Sequence, residues 1–161
     1  AGTGASGSIT AFYTVLVESD DMTEPVTDTV RGTLDGHIVL SRELAAENHY
    51  PAIDVLQSVS RVMPSITSEE QREAAGQLRE YLARYRRSRD LVSIGAYQHG
   101  ADPGLDEAIE RLPAIERFLR QRPSEALGLA ETVAMMRSTV TGDLLGANSS
   151  VGGFVDEAGA A

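Results

Sequence analysis

The chain of 161 residues contains no cysteine, no lysine and no tryptophan. Without cysteine there are no disulfides and no thiolate chemistry, which fits a reducing compartment. All 14 basic residues are arginine, because lysine is absent. A Walker A loop, G-x-x-x-x-G-K-[ST], needs a lysine to reach nucleotide phosphates, so these residues cannot contain one. Schiff-base chemistry on lysine is excluded on the same ground. No apolar run approaches the ~20 residues that span a bilayer. The first residues lack the basic-then-apolar order of a signal peptide. Positive charge is also scarce: 24 acidic residues give a net charge of -10. A surface that binds phosphate backbones must be basic, so nucleic acid is not an expected partner and a basic protein is.

What is present begins with AGTGASGS, whose Gly2, Gly4 and Gly7 spell G-x-G-x-x-G. A dinucleotide fingerprint must follow a strand and open a helix. Here nothing precedes it and a strand-like run follows, so it reads as a flexible loop. Residues 9–17, ITAFYTVLV, have apolar side chains at both parities. That predicts a strand buried on both faces, as in a parallel sheet. An acidic loop follows, with Asp20, Asp21, Thr23 and Glu24. Loops beyond strand ends carry ligands in open α/β sheets; a solvated turn is the plain alternative. Residues 26–34 suit a short helix, HIVLS at 37–41 a second buried strand, and RELAAEN at 42–48 a helix closing at Asn48. This alternation predicts an α/β unit.

After Pro64 the pattern becomes helical. Ser68 and Gln71 make a capping-box pattern, and Leu78, Tyr81, Leu82 and Tyr85 follow at helical spacing. That helix is expected to reach about Asp90, with Arg84, Arg86, Arg87 and Arg89 as a solvated end matched to the helix dipole. Leu105, Ala108, Ile109 and Leu112 mark another helix. Pro113 and Pro123 each fit the first turn of a further one. Leu127, Ala130, Val133 and Ala134 would form the inner face of the last. The expected architecture is α/β at residues 1–66, an all-helical domain at 67–140, and a Gly/Ala-rich tail at 141–161 that is expected to be disordered. Two strands buried on both faces cannot form a sheet alone, so the chain is expected to be part of a longer protein.

His37, His49 and His99 show no metal-binding spacing, and no G-x-S-x-G supports a self-contained hydrolase. Tyr50 and Arg61 remain. A tyrosine before proline is held out of helix, with its ring available to stack on a planar base or a neighbouring side chain. Arg61 stands among small polar and apolar residues in SVSRVMP. Its planar fork suits a phosphate; pairing with Asp54 or with a carbonyl is the equal alternative.

The segments GSITAFYTVLVESDDMTEPVTDTVRGTLDGHIVLSRELA, HYPAIDVLQSVSRVMP and RDLVSIGAYQHGADPGLDEAI resemble the C-terminal part of the flagellar and type III secretion export ATPases. These are kin to the catalytic subunits of rotary F-type ATP synthases. The resemblance covers roughly residues 1–125, and its words DGHIVLSR, HYPAID and SRVMP stand in the family's order. It implies the C-terminal end of a RecA-like P-loop ATPase domain followed by a helical bundle. It implies a cytoplasmic ATP-hydrolysing homohexamer, peripheral to a membrane-embedded export apparatus and not itself inserted in the membrane. Its partners would be a central coiled-coil stalk, the export apparatus and exported substrates. ATP and Mg2+ would be bound mainly by residues preceding Ala1. Arg61 matches the arginine finger that acts in the neighbouring subunit's site, and Tyr50 the aromatic that packs on adenine. Asp20, Asp21, Thr23 and Glu24 match the stalk-facing loop, and residues 100–112 the helical element that meets the stalk. The family's aromatic after FL-x-Q is missing here, where FLRQ runs into Arg122 and Pro123. The alternatives are a non-catalytic helical module for a coiled-coil stalk, or part of an F- or V-type ATP synthase subunit.

Overall fold

The computed structural model describes residues 2–17 and 25–142. The acidic loop residues Asp20, Asp21, Thr23 and Glu24 lie outside them, as does the tail from 143 onward. Among the described residues ten elements follow in order: β1 (Gly2–Gly4), β2 (Gly7–Ile9), α1 (Pro25–Thr33), β3 (Gly36–His37), α2 (Arg42–Ala46), β4 (Val59–Ser60), α3 (Met63–Ile66), α4 (Glu69–Ser93), α5 (Pro103–Leu119) and α6 (Leu129–Thr141).

The N-terminal part departs from the expected parallel sheet. The glycine-rich start is an antiparallel hairpin, β1 on β2, rather than a flexible loop. Residues 10–17 form no strand, and Phe12 and Leu16 are 89% and 88% exposed. A strand exists only by pairing, and among the described residues none lies beside this run. The HIVLS segment is likewise not a central strand. Only β3 pairs, antiparallel to β4 through Gly36–Ser60 and His37–Val59, with an isolated bridge between Leu40 and Ile53. Ile38 and Leu40 remain exposed.

The helices follow their local chemistry more closely. The Ser41 hydroxyl accepts the Leu44 N–H at the start of α2. The chain then turns at Asn48, which takes the left-handed φ of 56° that Asn tolerates better than most residues. Helix α4 starts as its cap predicts, with the Gln71 N–H bonded to the Ser68 hydroxyl at 3.2 Å. It runs past Asp90 to Ser93 and stops before Gly95 at φ +71°. Asp102 caps α5 by accepting the N–H groups of Gly104 and Leu105.

Two proline readings are corrected. Helix α5 passes through Pro113 as one 17-residue helix. The proline removes the bond that Ile109 would accept, at a cost of about 3 kcal/mol in an isolated helix. Burial of Leu105 and Ala108 before it and Ile115 after it holds both halves on one axis. Pro123 starts no helix. The chain turns there, with the Arg122 N–H on the Glu125 carboxylate at 2.9 Å, and α6 begins only at Leu129. Glu131 reaches back to the Gly128 N–H at 2.9 Å and supplies that start. The inner face of α6 is also shifted: Thr139 and Val140 are buried, whereas Leu127, Ala130 and Ala134 are exposed.

Helices α4, α5 and α6 pack on one another around Ala74, Leu78, Ile115 and Val140. Leu78 follows Ala74 by one turn, the spacing that puts both on one helical face. Tyr81, Leu82, Phe118, Leu119 and Met136 flank this core, and Val55 joins it from the loop after α2. Polar links cross the bundle from the Tyr81 hydroxyl to Glu107 at 2.8 Å and from Arg137 to Glu70 at 2.8 Å. At the turn between α4 and α5, Asp106 accepts from the Tyr97 hydroxyl at 2.7 Å and the Gly100 N–H at 2.7 Å, with His99 Nδ1 at 2.9 Å. The Tyr97 hydrogen bond leads in holding the Asp106 carboxyl below its ordinary range.

Candidate functional site

The loop from α2 to β4 carries both sequence-predicted residues, and Asp54 organises it. The Ser41 N–H bonds the Ala52 carbonyl at 2.8 Å and the Asp54 N–H bonds that of Val39 at 2.9 Å, so residues 52–54 lie beside 39–41. The Asp54 side chain is buried. Its Oδ1 accepts the Leu56 and Gln57 N–H groups at 2.9 and 3.1 Å. Its Oδ2 accepts Gln57 Nε2 at 3.0 Å and Arg86 at 3.1 Å. Burial alone pushes this carboxyl up, but the bonds from Gln57 and Arg86 together outweigh it and hold the group below its ordinary value. A carboxylate surrounded by donors favours its charged form.

Tyr50 precedes a cis peptide to Pro51. Its side chain is half exposed, and its carbonyl accepts the Gln121 N–H at 2.9 Å. The FLRQ segment, at the end of α5, is thus brought to the tyrosine although some seventy positions separate them in the chain. A planar ring left open beside an ordered backbone is a stacking surface.

Arg61 follows β4. Its N–H bonds the Asp35 carbonyl at 2.8 Å, while its guanidinium donates to the carbonyls of Gly32 at 3.0 Å and Arg31 at 3.1 Å. These carbonyls end α1, where a cation complements the helix dipole. Of the pairings that the sequence left open, the carbonyl pairing is the one found; Asp54 pairs with Arg86 instead. Arg61 remains exposed, and these two bonds use only part of a donor set of five N–H groups. Tyr50 is thus anchored at the end of α5 and Arg61 at the end of α1, and among the described residues no hydrogen bond joins the two.

The arginines of α4 are more than a solvated end. Arg86 holds Asp54, Arg89 holds Glu43 at 3.2 Å and Glu47 at 2.8 Å, and Arg84 holds Glu80 at 2.8 Å with Asp102 at 3.9 Å. Arg86 and Arg89 thereby fasten the helical bundle to α2 and the Tyr50 loop. Glu43 in α2 and Glu47, the residue that ends it, are four apart, and Arg86 and Arg89 are three apart on α4, the spacings at which side chains share a helical face.

Two family profiles give this arrangement its class, the end of a nucleotide-binding unit joined to a helical domain. The profile of the ATP synthase alpha/beta family, nucleotide-binding domain, matches residues 1–60, and that of the type III secretion EscN ATPase C-terminal domain matches residues 67–138. The chain is 52% identical over 136 residues to the flagellum-specific ATP synthase of Pseudomonas aeruginosa, covering 84% of this chain and 30% of that protein. It is 58% identical over 127 residues to the SPI-2 type 3 secretion system ATPase of Salmonella typhimurium, covering 79% of this chain and 29% of the relative. The assembled ATPase EscN of enteropathogenic E. coli aligns with a TM-score of 0.80 at 44% identity, over 83% of this chain and 32% of EscN. EscN in complex with its central stalk EscO gives a TM-score of 0.78 at 41% identity, over 87% of this chain and 33% of EscN. The chain belongs to the flagellar and type III secretion export ATPase family. It spans about 30% of the length of these curated relatives.

Proposed function

We propose that the chain is part of an ATP-hydrolysing hexameric ring that energises flagellar or type III protein export. On this reading residues 1–66 close the nucleotide-binding domain and residues 67–140 form the helical domain. The observation that carries the reading is Arg61, an exposed guanidinium held at a defined place by the Gly32 and Arg31 carbonyls and, among the described residues, with no carboxylate paired to it. An arginine kept positive and outward can donate to an anion of another subunit.

Arg61 acts as the finger. It donates to the γ-phosphate in the neighbouring subunit's site and stabilises the charge that spreads over the transferring phosphoryl oxygens. Such a contact is worth on the order of 10³–10⁵ in rate. Tyr50 packs its half-exposed ring on the adenine bound to its own subunit and contributes to affinity rather than to the chemical step. Arg122 and Pro123 stand where the family's second aromatic would be, so Tyr50 bears more of the adenine contact here. Among the described residues no group of three His, Asp or Glu is placed to hold a metal ion, and no step through Mg2+ is assigned to them.

Asp20, Asp21, Thr23 and Glu24 meet a central coiled-coil stalk, and the turn into α5 meets it at the helical end. A net charge of -10 suits a basic stalk, since complementary fields steer association. The ring works in the cytoplasm against the export apparatus and its substrates; among the described residues no helix is long and apolar enough to cross a membrane.

The test uses the full-length assembled ATPase. Arg61→Ala should lower kcat by about 10³-fold or more while ATP affinity stays within about threefold. Tyr50→Ala should raise KM with little change in kcat. Lost binding with normal turnover per bound ATP in Arg61→Ala would remove the finger role.

A further inference from the structure

The exposed guanidinium of Arg61 is useful only if something fixes where it stands. Two features do so, and one of them depends on a glycine outside the site. The first is the end of α1, whose Arg31 and Gly32 carbonyls receive the guanidinium. The second is the short β3–β4 pairing, which sets Gly36 against Ser60, the residue before Arg61. The Arg61 N–H then closes onto the Asp35 carbonyl at 2.8 Å. Arg61 is therefore held at its backbone and at its tip by residues 31–36.

Gly36 permits this approach. A Cβ added there would stand 2.6 Å from the Val59 carbonyl oxygen and 3.3 Å from the Ser60 Cα. Both obstacles are backbone, so no rotamer change relieves them. The reason for glycine is close packing of two backbones rather than an unusual φ, because Gly36 is not among the residues with positive φ. Gly76 in α4 is the contrast, since a Cβ there meets nothing within 4 Å.

We infer that Gly36 is a positioning residue for the Arg61 finger, and that the 31–36 segment at the end of α1 sets how far the guanidinium reaches toward the neighbouring subunit. This rests on the finger role proposed above. A methyl group at position 36 would have to drive β4 away by roughly 1 Å, and a displacement of that size can cost about 10²-fold in rate. It leaves Tyr50 alone, whose loop is held by other bonds. The signature is thus a loss in kcat without a matching loss in nucleotide affinity.

The experiment compares Gly36→Ala and Gly76→Ala with the parent in the assembled full-length ATPase. It reads kcat, ATP affinity and hydrogen exchange at the Arg61 amide. Gly36→Ala should lose about 10²-fold in kcat, keep ATP affinity within about threefold and exchange faster at Arg61. Gly76→Ala should match the parent in all three. A Gly36→Ala enzyme with the parent's kcat overturns the inference, as does lost turnover with unchanged Arg61 exchange. Should Gly36→Ala not assemble, the unmodified enzyme decides: its Arg61 amide should be protected together with the amides of α1. Exchange at the free-chain rate beside a protected α1 overturns the inference as well. The finger reading fails separately, when Arg61→Ala keeps the parent's turnover.

Discussion

Replacing Asp54 by alanine removes the acceptor around which the Tyr50 loop is built. Asp54 is only 4% exposed, and its carboxylate receives two backbone N–H groups, one amide and one guanidinium. Gln57 and Arg86 can turn toward water, so little of the cost arises there. The Leu56 and Gln57 N–H groups are fixed in the chain and lose their partner. An orphaned buried donor costs about 1–3 kcal/mol, and both are only partly buried, so a total of about 2–4 kcal/mol is expected for Asp54→Ala. For a chain of this size each kcal/mol moves Tm by roughly 2–4 °C, giving a fall of about 5–15 °C. Thermal unfolding followed by circular dichroism at pH 7 measures it. Asp54→Asn adds the pH test. The folded carboxyl titrates below its ordinary value of 3.8. Its contribution is therefore present above pH 3.8 and is lost as pH falls through the folded value. The parent's advantage over Asp54→Asn should be complete near neutrality and disappear below pH 3.8. A Tm change under about 1 °C for Asp54→Ala, or a gap between parent and Asp54→Asn that stays constant through acid, would refute the reasoning.

Three further outcomes are expected. Gly142→Ala should destabilise the bundle by about 1 kcal/mol or more in denaturant melts, because Gly142 has φ +85° and a Cβ there would overlap the Arg111 guanidinium. Pro113→Ala should raise amide protection in the middle of α5 by restoring the Ile109 bond, with a gain bounded by about 3 kcal/mol; unchanged protection would show that packing alone sets that stretch. The 161 residues by themselves should hydrolyse no measurable ATP, since they contain no lysine for a phosphate-binding loop; magnesium-dependent turnover by them would contradict this.

The sequence was most informative where a helix carries its own instructions. Ser68 caps the helix it begins, and Leu78, read at helical spacing, lies on the α4 face that is buried in the core. It was least informative where a partner decides. Residues 10–17 have the composition of a buried strand, yet a strand depends on neighbours that no composition of its own can supply. Pro113 and Pro123 carry the same local signal and fall in different settings. Tertiary packing carries the helix through the first, and Glu125 closes a turn after the second. Arg61 and Tyr50 were visible as residues without a local role. What anchors them was not, because Gly32, Arg31 and Gln121 contribute backbone atoms, whose use leaves no trace in residue type. The Arg86–Asp54 link spans 32 positions. Only the paired spacing on α4 and α2 hinted that these helices meet.

Under the proposed function Tyr50 serves its own subunit's nucleotide and Arg61 the neighbour's. Mixed rings of full-length Arg61→Ala and Tyr50→Ala subunits, assayed at low ATP, test it most directly. Random mixing in equal parts leaves about one site in four with an intact tyrosine and an intact incoming arginine. Mixed rings are then expected to hydrolyse ATP faster than the average of the two pure variants. Turnover equal to that average, at every mixing ratio, would place both residues in the same subunit's site and contradict it.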